Sequence, residues 1–194
     1  MQKKLLLILT GTSGSGKTTL CSRFLKEIPS TARVITTTTR LPREGETDGV
    51  DYHFETDENF RKRIITKDFL EYAEVYGHFY GTAKASLLDA AYAEKDLIVC
   101  LDVQGAQTLK AKWDDTTMGR RLVTIFVCPA SLDELRLRLI KRGTDYEQTI
   151  QKRLLTAETE LRSLHRFDYH LCSQDKTHDW LCLNHIFFAE KMRI

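Results

Sequence analysis

The stretch Gly11-Thr12-Ser13-Gly14-Ser15-Gly16-Lys17-Thr18 fits the spacing GxxxxGK[ST] at every fixed position, just after the apolar run Leu5-Leu6-Leu7-Ile8-Leu9. A short unbroken apolar run reads as a strand buried on both faces, and the glycine-rich segment then opens the helical stretch TLCSRFLKEI. Strand, loop and helix in this order leave few folds open, and the residue types follow from chemistry. Glycines let successive backbone N–H groups close around phosphate oxygens, while the helix N-terminus adds its positive end. A lysine at position 17 reaches the β and γ phosphates, and the Thr18 hydroxyl completes part of a Mg2+ shell. The segment Gly11, Thr12, Ser13, Gly14, Ser15, Gly16, Lys17, Thr18 and Thr19 is therefore expected to hold a nucleoside triphosphate. The competing account is a glycine-rich turn with no ligand. The flanking strand and helix argue against it.

Further apolar strand-like runs at Asp96 to Leu101 and Leu122 to Val127 are each followed by helical patterning, which predicts a parallel sheet with crossover helices. Between Val34 and Thr82 the texture changes to short Thr-, Tyr- and Phe-rich pieces with turn signals at Pro42, Gly45, Gly49 and Gly77, the pattern of an inserted β-rich lobe. Ser131-Leu-Asp-Glu134 makes a capping box for a helix ending at Gly143, and Thr144-Asp-Tyr-Glu147 makes a second for the helix carrying Arg153. The expectation is a single α/β domain of 194 residues with a core at about 1–33, 84–128 and 156–194. The lobe then covers about 34–83 and a helical lid about 129–155.

Charge is nearly balanced, with 29 basic against 27 acidic residues, so the totals point to neither nucleic acid nor a membrane surface as partner. The cysteines number five and form no CxxC, which suits reduced thiols and a cytoplasmic location. Lys3-Lys4 before the first apolar run superficially resembles a leader, but that run is five residues long and leads straight into the phosphate loop. Cys172, His178, Cys182 and His185 lack the paired short spacing of a zinc finger and read as ordinary packing. Monomer and homodimer both remain open.

Within the inserted lobe, Arg40-Leu-Pro-Arg43 sets two guanidiniums three residues apart beside a proline that stiffens the turn. Such a pair can grip a second phosphate bidentately, although taken alone it is as readily a pair of solvated surface residues. Five blocks occur in order: the phosphate loop, TTTTRLPREGETDGVDYHF, FLEYAEVYGHFYGT, LDVQGAQ and RLIKRGTDYEQTIQKRL. Together they resemble the guanylate kinase family over nearly the whole chain.

The resemblance implies a phosphate-loop α/β fold and ATP-dependent conversion of GMP to GDP, with Mg2+ accompanying ATP. Arg40 and Arg43 would hold the GMP phosphate with help from the hydroxyls of Tyr52 and Tyr80. Glu71 would read the guanine edge, since a carboxylate accepts from both N1–H and the exocyclic amine. Thr36 and Thr82 match hydroxyl positions near the base. Asp102 would hold Mg2+ through water or orient the arginines, and it is equally placed to cap the helix after it. Arg138, Arg142 and Arg153 become lid arginines that close on the ATP phosphates and offset charge during transfer. By the same resemblance Lys17, Arg40, Asp102, Arg138, Arg142 and Arg153 are the catalytic set.

Two departures from the family pattern stand out. Cys100 occupies a position where many members carry an acid, and Ser173-Gln174 replaces a common Asn-Asp on the adenine side. Two other classes compete. A silent interaction module should show a damaged phosphate loop or lost lid arginines, and both are intact here. A GTP switch is suggested by Asp102-Val-Gln-Gly105, but the chain has no NKxD element to read guanine.

Overall fold

Along the chain run β1 (Lys4–Gly11), α1 (Lys17–Glu27), β2 (Thr31–Arg33), β3 (Thr37–Thr38), β4 (His53–Phe54), α2 (Asp57–Ile65), β5 (Phe69–Val75), β6 (His78–Ala83) and α3 (Lys84–Tyr92). There follow β7 (Asp96–Cys100), α4 (Val103–Lys112), α5 (Asp115–Met118), β8 (Arg120–Pro129), α6 (Leu132–Arg142), α7 (Glu147–Leu161), β9 (Tyr169–Ser173) and α8 (Lys176–Met192). This computed structural model describes residues 3–92, 94–143 and 146–193, apart from the side chains of Thr117 and Arg142.

The expected parallel sheet is present, five strands in the order β2-β7-β1-β8-β9. All its neighbours run parallel, with Leu6 opposite Leu97 on one side of β1 and Leu122 on the other. The central strand is buried on both faces, which is why its sequence is an unbroken apolar run rather than an alternating one. Leu5, Leu7 and Leu9 pack with Phe24, Leu183 and Phe187 of α1 and α8. Leu6 and Ile8 face the opposite way, onto Val103, Ala106 and Leu109 of α4. Each such leucine contributes about 1.5–3 kcal/mol by leaving water. The chain moves to one side of β1 for β2 and β7 and to the other for β8 and β9, so a crevice opens at the carboxyl ends of these strands.

The inserted segment forms its own sheet in the order β4-β3-β6-β5. Its centre is a stack of three rings, Phe60 on Phe69 with centroids 4.3 Å apart and Phe60 on Phe79 at 5.3 Å. Phe60 comes from α2, a helix that the β-rich expectation for this lobe did not include. The Thr56 hydroxyl accepts from Asn59 N–H to cap it. Asp57–Arg61 and Glu58–Lys62 then pair one turn apart on its surface.

The first capping box behaves as expected, with Ser131 accepting from Glu134 N–H and Gly143 ending α6 in the left-handed conformation. The second falls on Thr144 and Asp145, which lie outside the described residues; α7 has Tyr146 at its N-cap with no side-chain cap bond. Glu147 is thus the first helical residue and pairs instead with Arg136 of α6 at 2.8 Å. A small apolar cluster of Leu135, Leu139, Ile150 and Ala157 holds α6 and α7 together.

Candidate active site

At the carboxyl end of β1 the chain must turn sharply beneath β8. Gly11 adopts φ +126°, and a Cβ there would sit 2.0 Å from the Val127 carbonyl oxygen, so a larger residue is excluded twice over. The helix that follows begins at Lys17 with Gly16 as N-cap and no capping side chain, which leaves its first-turn N–H groups to serve an anion. Lys17 bends back over the loop and donates to the Gly11 and Thr12 carbonyls at 2.7 and 2.8 Å. Burial pushes its pKa down, opposed by the negative groups Glu160, Cys100 and Asp102 around it. Ser13, Gly14, Gly16, Thr18 and Thr19 line the cleft, whereas the Thr12 and Ser15 hydroxyls are buried without a hydrogen-bond partner among the described residues.

Across a cleft of about 850 Å³ lies a second recognition surface. Glu71, on β5, is 2% exposed, and its Oε1 accepts from the Thr82 hydroxyl at 2.5 Å. Its other oxygen is buried with no hydrogen-bond partner among the described residues. Burial pushes this carboxyl up to about 7, with the Thr82 hydrogen bond pulling the other way and Asp102 adding to the rise. Gly105 makes room for it, since a Cβ at that position would lie 2.4 Å from Glu71 Oε2. Asp102 faces the same space. Its Oδ1 accepts from Gln104 and Gly105 N–H at 2.9 and 3.0 Å, so the helix-capping role holds and the residue lines the cleft at the same time.

Thr36, Arg43, Tyr52 and Tyr80 line the same side, the two tyrosine rings 6.2 Å apart. Burial drives the Tyr52 hydroxyl up to about 12, which keeps it a donor. Arg40 departs from expectation. Its guanidinium forks onto Glu46 at 2.8 and 3.0 Å and onto the Leu41 carbonyl at 2.6 Å, beside the Tyr52 and Phe54 rings, and it does not line the cleft. Glu46 also accepts from Arg43 N–H at 2.8 Å, so one carboxylate organises the whole Arg40–Arg43 turn.

From α7, Arg153 donates to the Ser13 hydroxyl at 2.8 Å and lies over the Tyr76 ring at the tip of the β5–β6 hairpin. It thereby touches phosphate loop and lobe together. Arg138 pairs with Glu134 and donates to the Ser173 hydroxyl at 2.8 Å and the Gln174 carbonyl at 3.1 Å. Asp179 accepts from that Ser173 hydroxyl at 2.7 Å, extending the chain of bonds into α8. The Arg142 side chain lies outside the described residues.

Two groups escaped the sequence reading. Glu46 was available as the acid closing Arg43-Glu-Gly-Glu46, three residues after an arginine. Glu160 lines the cleft with Oε2 buried and unpartnered among the described residues, and burial pushes its carboxyl up to about 7 against the pull of Lys17. It follows Arg153 by seven residues, two helical turns, which puts both on one face of α7.

A phosphate loop on the central strand of a parallel sheet, opposed by a lobe with its own anion-compatible and buried acceptor groups, defines a phosphate-loop nucleotide kinase. The family profile described as guanylate kinase matches residues 3–187, and the chain belongs to that family. It is 43% identical over 191 residues to a guanylate kinase of Myxococcus xanthus, an alignment covering 97% of this chain and 88% of that one. Identity to the guanylate kinase of Clostridioides difficile is 37% over 194 residues, covering 100% and 92% of the two chains. The crystal structure of guanylate kinase from Anaplasma phagocytophilum superposes with a TM-score of 0.79 at 27% identity, over 99% of this chain and 88% of that one.

Proposed function

We propose that this protein transfers the γ-phosphate of ATP to GMP, giving ADP and GDP. The observation that carries the proposal is Glu71, a buried carboxylate with one unpartnered oxygen, facing a phosphate loop across a single cleft. Guanine presents two donors, N1–H and the exocyclic amine, to such an oxygen pair, whereas adenine presents an acceptor at N1. Thr82 holds the carboxylate from behind, Thr36 and Asp102 stand beside the base, and Gly105 keeps the space open. Arg43, Tyr52 and Tyr80 take the GMP phosphate, with Arg40 adding positive charge from behind them and fixing the turn through Glu46.

On the donor side the loop from Gly11 to Thr19 wraps the ATP phosphates, and Lys17 exchanges its two carbonyl contacts for phosphate oxygens. Arg138, Arg142 and Arg153 belong to a closing lid that offsets the charge spread over the transferring group and excludes water. A GMP phosphate oxygen is itself the nucleophile, so the protein's work is alignment and charge compensation rather than proton abstraction. The hard oxygen donors of Thr18 and Asp102 fit Mg2+, the first directly and the second through water. Bound with ATP, such an ion would supply positive charge that offsets the negative charge of the phosphates.

In this scheme residues 1–33, 84–128 and 156–194 form the core, 34–83 the GMP lobe and 129–155 the lid. The five cysteines, unpaired in the structure, support a cytoplasmic place in purine nucleotide metabolism. The test is coupled ADP release with ATP, Mg2+ and a panel of monophosphates. Strong preference for GMP is expected; preference for AMP, UMP or TMP would overturn the role given to Glu71, and silence across the panel would overturn the activity.

A further inference from the structure

One arginine of the parallel sheet reaches across to the inserted lobe. Arg33 is the last residue of β2, and its Nη2 donates to the Asp51 carbonyl oxygen at 2.8 Å while Nη1 stands 3.7 Å from Asp51 Oδ1. Asp51 lies 18 residues further on, in the turn that leads into β4. The other carboxylate oxygen serves that turn: Oδ2 accepts from Thr47 N–H at 2.9 Å, and Asp51 N–H donates to the Thr47 carbonyl at 3.0 Å. Gly49 N–H closes the next step by donating to the Tyr52 carbonyl at 2.8 Å. The turn from Thr47 to Tyr52 is thus a hydrogen-bonded unit, and Arg33 ties it to the sheet. The side chains of the pair are 13% and 26% exposed, against 61% and 54% for Arg61 and Asp57 on α2. Exposed pairs of the second kind contribute little, whereas a sheltered guanidinium that serves a carbonyl and a carboxylate together escapes most of the screening.

We propose that Arg33 is a positioning residue for the acceptor nucleotide: it pins the Asp51 turn to the sheet and so sets Tyr52, the next residue, against the phosphate of GMP. The inference rests on the assignment of Tyr52 to that phosphate. Arg33 does not line the cleft, whereas Tyr52 does, so the effect passes through the backbone of the turn. Tyr52 also carries more than its own hydroxyl. The Arg40 guanidinium lies over its ring at 5.4 Å from the centroid, and the Tyr80 ring meets it edge-on at 6.2 Å. A turn released from Arg33 therefore disturbs the arginine and both phenols of the phosphate grip at once.

The hydroxyl of a tyrosine sits at the far end of its side chain, so a small rotation of the backbone becomes a larger shift at the oxygen, and a misplacement of order 1 Å costs up to about 100-fold. An arginine suits the task because its planar fork engages two acceptors in one geometry. Lysine would keep the charge opposite Asp51 without fixing both. The phosphate loop is spared, since β7 stands between β2 and β1 in the sheet. The pair should accordingly affect GMP and leave ATP alone.

The experiment measures GMP and ATP binding by calorimetry, with coupled ADP release for kcat and KM, in the full-length parent and in Arg33→Met, Arg33→Lys, Tyr52→Phe and the double variant Arg33→Met/Tyr52→Phe. Arg33→Met should bind GMP about tenfold more weakly, the fold-change of one hydrogen bond from a charged group, and KM for GMP should rise more than kcat falls. Its ATP affinity should stay within about twofold of the parent, and Arg33→Lys should recover part of the loss. In the Tyr52→Phe background the same change should cost less than about threefold, because the hydroxyl that Arg33 positions is gone. Parent-like GMP affinity in Arg33→Met, equal losses for GMP and ATP, or effects that multiply fully in the double variant would overturn the inference. Should Arg33→Met fail to fold, Asp51→Asn, which keeps the carbonyl acceptor and removes the carboxylate charge, decides on the same criteria. A parent that binds no GMP overturns the reading of the cleft and this inference with it, whereas a parent that binds GMP beside an unaffected Arg33→Met overturns this inference alone.

Discussion

Replacing Glu71 by glutamine should move stability and activity in opposite directions. Burial holds this carboxyl at about 7 instead of its ordinary 4.5, so its ionised form costs the folded state about 3 kcal/mol relative to the unfolded chain. The sign follows from the folded value lying above the unfolded one. The group's favourable contribution is whole below pH 4.5 and is withdrawn as pH rises through 7, leaving the full cost at pH 8. Glutamine has nearly the same shape, can still accept from Thr82 through its carbonyl oxygen, and exchanges one unpartnered buried oxygen for an unpartnered amide nitrogen while removing the charge. The nucleotide-free Glu71→Gln protein should therefore be more stable than its parent at pH 8 by up to about 3 kcal/mol, a rise in Tm of roughly 6–12 °C for a domain of this size. The gain should vanish toward pH 4.5.

Catalysis should suffer by the same change. A hydrogen bond to a charged group is worth about 1.5–3 kcal/mol, and a glutamine amide turns a donor toward guanine's donors. Loss of one such bond and part of a second gives a fall of at least about 100-fold in kcat/KM for GMP. Thermal unfolding scanned from pH 5 to 8 without nucleotide and coupled ADP release with GMP measure the two effects. A variant less stable than its parent at pH 8, or one retaining kcat/KM for GMP within a few-fold, would refute the reasoning.

Gly105→Ala puts a Cβ 2.4 Å from Glu71 Oε2, so GMP affinity should drop while ATP affinity, measured separately by calorimetry, stays put; equal losses would place the damage elsewhere. Arg153→Ala removes the bond to Ser13 and the cover on Tyr76, and kcat should fall about 10²–10³-fold with ATP binding changed much less. Retention of turnover in that variant would remove Arg153 from the transfer step. Asp175→Ala deletes the cap that accepts from Thr177 and His178 N–H, at a cost of about 1 kcal/mol and a Tm lower by roughly 2–4 °C, and an unchanged melting curve would show the cap to be idle.

Local physics makes part of this protein legible in one dimension. The unbroken apolar run from Leu5 to Leu9 and the glycines after it could be read as buried strand and phosphate loop because β periodicity, left-handed backbone and N–H exposure are properties of neighbouring residues. The Ser131 cap and the parallel sheet are legible for the same reason. Helix α2 was hidden by attention to turn residues and aromatics around it, although Thr56-Asp57-Glu58 is a serviceable N-terminal signature. Helix α7 starts after Tyr146 with no side-chain cap bond, so its first residue carries no local signature in the sequence.

Other properties depend on which side chains meet across the fold. Glu71 acquires its raised pKa from burial and from Asp102, 31 positions later in the chain and brought close by α4 packing on β5. Arg40 faces Glu46 because the turn folds back on itself, and Glu160 enters the cleft because α7 passes over the loop. The sequence by itself determined the donor loop, the parallel sheet and the residue types of the site, all of which follow from short-range pattern. Only the tertiary structure decided which carboxylates are buried and which arginine faces inward, because desolvation and charge act through space and not along the chain.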